Sequence, residues 1–194
     1  MIRGSIRPGG RTERVRQAVA AAVLDFIKEG RADFAMQDVA ERSGIARSTL
    51  YARWPTRDHL IAEALRANNS VFQLDQLDDW REHIRHVARA FRDFSARPDE
   101  IAINALAARL GSGFLAEETY RQWRSIAVTM AEPLRDAQAA GAIRPDVDPI
   151  VVISTLFASI AGLIVIAKDV PSDAYLGQLA DLLIAGCEPV PAAS

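Results

Sequence analysis

The sequence predicts an all-α fold of about nine helices, and three observations predict it. Apolar residues recur at i, i+3 and i+4 along nearly the whole chain. Glycines and prolines interrupt that pattern at helix-length intervals. No credible run of alternating, strand-like residues occurs. The 194 residues suit one large domain or two small ones, and 49% apolar with 25% charged residues is an ordinary globular composition.

Taken in order, Val15, Ala18, Val19, Ala22, Val23, Phe26 and Ile27 form one apolar stripe, and Gly30 stops that helix. Met36 to Ser43 reads as a short second helix, and Ala46 or Arg47 to Trp54 as a third. Pro55 ends the third, because a residue before proline is pushed out of the helical region. Thr56 is a candidate N-cap for a longer helix carrying Leu60, Ile61, Ala64 and Leu65. Trp80, Ile84, Val87, Phe91 and Phe94 make the seam of a packed helix that Arg97-Pro98 breaks. Ile101 to Leu110 is short and mostly apolar, and the GSG at 111–113 is a turn. Tyr120, Trp123, Ala127, Met130, Leu134 and Ala137 line one long helix that Pro133 should kink, and Gly141 and Pro145 close it. Pro171 and Ser172 open a last helix with Leu176, Leu179, Leu182 and Leu183, and EPVPAAS reads as a frayed tail.

The segment 150–167, IVVISTLFASIAGLIVIA, has no charge over 18 residues and approaches the length of a membrane span. Ser154, Thr155, Ser159 and Gly162 dilute it, and no basic flank sets an orientation. It reads instead as a buried helix. In a chain this small, burial on every side points to a partner chain. The N-terminus lacks the apolar run of a secretory signal, and the single cysteine, Cys187, allows no internal disulfide, so a reducing cytoplasm is expected. Charge is uneven: residues 1–70 carry 12 basic and 8 acidic side chains, residues 71–194 carry 11 and 17. A net +4 head on a net −6 body weakly favours a polyanion partner for the head.

ERSGIARSTLYARWP, residues 41–55, concentrates the chemistry. Ala40, Gly44 and Leu50 have the spacing of a helix-turn-helix. Ala40 allows close helix approach, Gly44 supplies a positive φ for the turn, and Val39, Ile45 and Leu50 bury the joint, with Trp54 one turn on. Arg47, Ser48 and Tyr51 then share the opposite face, flanked by Thr49 and Arg53. A recognition helix sets such a face in the major groove, where arginine reads guanine and hydroxyls reach phosphates. The bland alternative is a structural hairpin with a solvated polar face.

RVRQAVAAAVLDFIKEG followed by MQDVAERSGIARSTLYARWPTRDHLIAEAL resembles the N-terminal domain of the tetracycline-repressor (TetR) family over about residues 11–66. Leu50 and Tyr51, Trp54 and Arg57 stand where that family carries its leucine–tyrosine pair, following aromatic and basic opening of the fourth helix. RDAQAAGAIRPDVDPIVVIS also resembles a C-terminal segment of the family. Departures occur at Ala35 and Ala46, where many members cap helices with Ser or Thr, each loss removing about 1 kcal/mol, and at Ser48 and Arg53. The resemblance implies a helix-turn-helix DNA-binding domain at 11–57 and a helical ligand-binding and dimerisation domain at 58–194. It implies a DNA-facing set of Gln37, Arg47, Ser48, Thr49, Tyr51, Arg53 and Arg57 on a palindromic double-stranded operator. It implies a homodimer through 150–167 and 172–186. It also implies repression relieved by a small apolar or aromatic ligand, with Trp80, Phe91, Asn104, Arg109, Tyr120 and Trp123 as the candidate ligand set. Aromatics at helical spacing are more often plain core.

The basic arm 1–14, with Arg3, Arg7, Arg11 and Arg14, reads either as a minor-groove or backbone contact or as a solvated tail. His83 and His86 lack further ligands for a metal and read as a solvated helix face, Cys187 as a small buried apolar residue. No nucleophile or phosphate-loop motif is present, so no cofactor and no enzyme activity are expected. An all-helical enzyme working in the aromatic pocket, and a DNA-binding protein without ligand, are the alternatives.

Overall fold

A computed structural model describes residues 10–70 and 72–189. Among the described residues ten α-helices follow in order: α1 (Arg11–Lys28), α2 (Met36–Ser43), α3 (Arg47–Arg53), α4 (Arg57–Asn69), α5 (Trp80–Ser95), α6 (Pro98–Leu110), α7 (Phe114–Met130), α8 (Glu132–Ala139), α9 (Pro149–Gly162), continued by a π-helical turn at Leu163–Ala167, and α10 (Asp173–Cys187). No strand occurs among the described residues. The fold is all-α, as the apolar period requires.

The chain packs as two units, Met1–Val71 with Ala102–Thr119, and Phe72–Ile101 with Tyr120–Ser194. Leu60, Ile61, Ala64 and Leu65 of α4 are buried in the same core as the α1 stripe Val19, Val23, Phe26 and Ile27, and Ile103, Leu106 and Leu115 join them. α1 ends where Gly30 takes φ +75. The Gly30 amide donates to Ile27 O and the Arg31 amide to Phe26 O, each at 2.9 Å, a Schellman closure that glycine permits. Ala35 has no side-chain acceptor, so only the reciprocal half of a capping box forms at α2: its own amide donates to Asp38 Oδ2 at 3.0 Å. The cap lost in sequence is therefore partly replaced. α3 has no side-chain cap, as expected of Ala46.

In the second unit, Phe91 lies at the centre of an aromatic cluster. It stacks on Phe157 with centroids 3.8 Å apart, and Phe72 and Trp123 meet it edge-on. The long helix expected from Tyr120 to Ala137 is interrupted at a single residue, Ala131, which stays in the αR region. α7 ends at Met130 and α8 begins at Glu132. Pro133 has no amide to bond the Thr129 carbonyl, and three side chains take the carbonyls at this end. Arg135 donates to Val128 O at 3.2 Å, Gln76 to Thr129 O at 3.2 Å, and His83 Nε2 bonds Met130 O at 2.9 Å. The interruption is tolerated because these acceptors are satisfied.

Pro149–Ala167 is long and apolar enough to cross a membrane by length and composition. Within this unit it buries Val152, Ile153, Leu156, Phe157, Ile160 and Ile164 against α5 and α10. Its other side, Val151, Ser154, Thr155, Ala158 and Ile166, is exposed, as are Tyr175 and Leu182 of α10.

Candidate nucleic-acid interface

The turn between α2 and α3 is made by Gly44 at φ +68, and no neighbouring atom lies within 4 Å of where its Cβ would be. Backbone conformation alone thus calls for glycine here. Leu50 is fully buried and Trp54 nearly so, which fixes one side of α3 on the core; burying such a side chain contributes about 1.5–3 kcal/mol. The other side carries Arg47, Ser48, Tyr51 and Arg53 exposed and Thr49 half-buried. Trp54 is extended, with φ −128 and ψ 92, as the following proline demands.

Gln37 is exposed on α2, and its Nε2 donates to Glu41 Oε1 at 3.0 Å. Arg47 donates to the same oxygen at 3.3 Å. Arg53 donates to Thr12 Oγ1 of α1 at 3.4 Å, which ties the end of α3 to the start of the chain's first helix. Arg57, exposed at the first position of α4, makes no ion pair among the described residues. Five of the seven DNA-facing candidates, Arg47 to Arg53, lie on one helix, with Gln37 joined to them through Glu41. Arg57 opens the next helix. Glu41 was missed in sequence, although its i, i+4 relation to Gln37 was visible there. Of the expected N-terminal arm, Arg3 and Arg7 lie outside the described residues. Arg11 and Arg14 belong to α1, so the segment 11–14 is helix and not arm.

Beneath this face sits a buried carboxylate. Glu63 of α4 receives Arg16 Nε at 2.8 Å and Arg66 at 3.3 Å, and the Trp54 indole approaches at 3.5 Å. Burial pushes this carboxyl up, but the bonds and charge of Arg16, with help from Trp54 and Arg66, outweigh burial and hold it below 4.5. The network joins α1, α4 and the residue that ends the recognition helix.

The six ligand candidates divide between the two units. Phe91 and Trp123 meet edge to face, and Trp80 is buried in the same core. The Trp80 indole Nε1 is buried without a hydrogen-bond partner. Tyr120 is 68% exposed. Asn104 and Arg109 belong to the first unit. Arg109 donates to the Gly30 carbonyl at 2.5 Å, on the turn between α1 and α2. It borders a cleft of about 550 Å³ lined by Asp33, Arg57, Ile61 and Phe114 among others.

His83 is not on a solvated face. It is fully buried. Its Nε2 bonds the Met130 carbonyl and its Nδ1 lies 3.4 Å from the Leu77 amide, so the neutral ring donates through one nitrogen and accepts through the other. Burial lowers its pKa below 6.5. With both nitrogens engaged it is a poor metal ligand, and no group of three or more metal-binding side chains occurs among the described residues. Cys187 is buried, and burial pushes its thiol up.

Two short helices joined by a left-handed glycine, an apolar seam on one side and an arginine- and hydroxyl-bearing face on the other define a helix-turn-helix DNA-binding protein. Residues 18–64 match the sequence profile of the bacterial regulatory proteins of the tetR family. An HTH-type transcriptional regulator of Mycobacterium bovis is 26% identical over 133 residues, which is 68% of each chain. The structure of the flavonoid-responsive regulator FrrA superposes with a TM-score of 0.73 over 93% of this chain and 100% of its own, at 22% identity. The TetR family transcription regulator SCO0332 does so with a TM-score of 0.63 over 91% and 100%, at 28% identity. These likenesses support a TetR-type transcriptional regulator: residues 18–64 carry a tetR-family helix-turn-helix DNA-binding domain, and that family is generally non-enzymatic.

Proposed function

We propose that this regulator is a cytoplasmic homodimeric repressor that binds a palindromic operator and leaves it when a small apolar or aromatic ligand binds its helical body. Residues 11–57 make the DNA-binding domain and 58–194 the ligand-binding and dimerisation domain. The observation that carries the reading is the two-sided recognition helix, with Leu50 and Trp54 buried and Arg47, Ser48, Tyr51 and Arg53 exposed. Arg47 and Gln37 read base edges, while Ser48, Thr49, Tyr51, Arg53 and Arg57 hold the backbone.

The dimer reading is supported by the exposed side of α9 and α10. Val151, Ala158, Ile166 and Leu182 lie there beside Ser154 and Thr155, a surface of small and apolar residues of the kind that two copies bury against each other. The ligand reading is supported by the aromatic cluster of Phe72, Phe91, Trp123 and Phe157, and by the unpartnered indole N–H of Trp80, which suits a ligand with an acceptor atom. The name of FrrA points to the same class of planar aromatic effector.

Fluorescence anisotropy on labelled DNA flanking the gene tests the reading. Selective, salt-dependent binding is expected, with Arg47→Ala weakening it at least tenfold, the size of one lost base contact. Planar aromatic compounds then raise the apparent Kd. Binding that ignores sequence and Arg47 sinks the proposal.

A further inference from the structure

Two side chains proposed as base readers share one acceptor atom at the reading face. Glu41 Oε1 accepts both the Gln37 amide, at 3.0 Å, and the Arg47 guanidinium, at 3.3 Å. All three residues are exposed, and Glu41 is the carboxylate that this face holds between them. A carboxylate on a surface that meets phosphates is repelled by them, so its presence calls for a use there. We infer that Glu41 is a specificity-determining positioning residue: it fixes Gln37 and Arg47 side by side as one unit for reading adjacent purines, and keeps Arg47 off the phosphate backbone. The inference rests on the reading of Gln37 and Arg47 as DNA contacts.

The chemistry fits. Glutamine has two amide hydrogens, and one is given to Glu41. The other, with the amide oxygen, matches the N7 and N6 of adenine. Arginine spends one amino group on Glu41 and keeps further donors for the O6 and N7 of guanine. A free arginine side chain has many rotamers and loses them on binding. Held by Glu41, Arg47 has fewer to lose when it meets the correct base, and must break a charged bond before it can swing to a phosphate. Specific binding is favoured and non-specific binding opposed by the same contact.

The test uses the full-length protein and an operator selected by it from random duplexes, with an unrelated duplex of equal length. Anisotropy titrations at several salt concentrations compare wild type with Glu41→Ala, Glu41→Gln, Gln37→Ala and Arg47→Ala. Glu41 is 64% exposed, and circular dichroism checks that its variants are folded. Glu41→Ala is expected to bind the unrelated duplex about three- to tenfold more tightly, with the salt slope steeper by about 0.9 as Arg47 takes a phosphate. The ratio of operator to unrelated affinity is expected to fall about tenfold, the scale of one base readout. Glu41→Gln, which still accepts from Arg47, falls between. A ratio within about twofold of wild type for Glu41→Ala, while Arg47→Ala lowers it, overturns this inference alone. If Gln37→Ala and Arg47→Ala both leave the ratio unchanged, the reading of these residues as base contacts fails, and the inference with it.

Discussion

Glu63→Gln isolates what the buried carboxylate contributes to the head, because the amide keeps the shape of the side chain and removes its charge. In the wild type, Arg16 places two N–H groups on Oε1, at 2.8 and 2.7 Å, and Arg66 approaches Oε2 at 3.3 Å. Breaking a wholly buried ion pair costs about 3–5 kcal/mol. Here Glu63 is 9% exposed, but the Arg16 and Arg66 side chains are 46% and 58% exposed and regain water when the carboxylate is lost, so the cost moves toward the surface scale. The Trp54 contact at 3.5 Å is long and adds little. About 1–2 kcal/mol remains at pH 7, which for a chain of this length lowers Tm by about 2–8 °C. The pH dependence gives a second handle. The folded carboxyl titrates below its ordinary 4.5, so its contribution is present above pH 4.5 and is lost as pH falls through the folded value. The Tm gap between wild type and Glu63→Gln, followed by circular dichroism, therefore narrows below pH 4.5. Equal melting at pH 7, or a gap that stays constant into acid, would refute the view that charge fastens α1 to α4.

Two other perturbations have definite signs. Gly44→Ala meets no steric neighbour, so its cost is the left-handed backbone alone, about 1–2 kcal/mol in a urea titration, and Gly44→Asn costs less; a neutral Gly44→Ala contradicts the φ of +68. His83 is held neutral with a lowered pKa, so the unfolded chain takes up its proton first, and stability falls as pH drops below 6.5. His83→Gln preserves a donor and an acceptor without titrating, and its Tm is expected to fall less than that of wild type between pH 7 and 5.5; parallel profiles count against the neutral buried ring.

Much of the head was legible in sequence because its constraints are local. Gly30 and Gly44 sit where positive φ is needed, Pro55 forbids helix at Trp54, and the α1 stripe repeats within one helix. The features that escaped are long-range. Arg109 belonged by pattern to the end of an apolar helix, but its partner is the Gly30 carbonyl, 79 residues away. His83 and His86 looked alike at i, i+3. Only packing against Met130 and Leu77 buries the first. Pro133 announced the disturbance, but not that Gln76, His83 and Arg135 take the carbonyls around it. Nothing local marks Glu63 as a carboxylate that Arg16 covers from 47 residues away.

The return of residues 102–119 to the core built by α1–α4 bears on how such regulators can be recombined. Ile103, Leu106, Ala107 and Leu115 complete the burial of Phe26, Ile61 and Leu65, though they come from a distant part of the chain. A reading head cut out at residue 70 leaves that apolar surface uncovered. A chimaera that exchanges operator specificity between two family members therefore has to transplant a discontinuous module, the first four helices together with the 102–119 insert. Where only the contiguous piece is moved, the recipient's own 102–119 must fit an apolar face that it did not evolve beside.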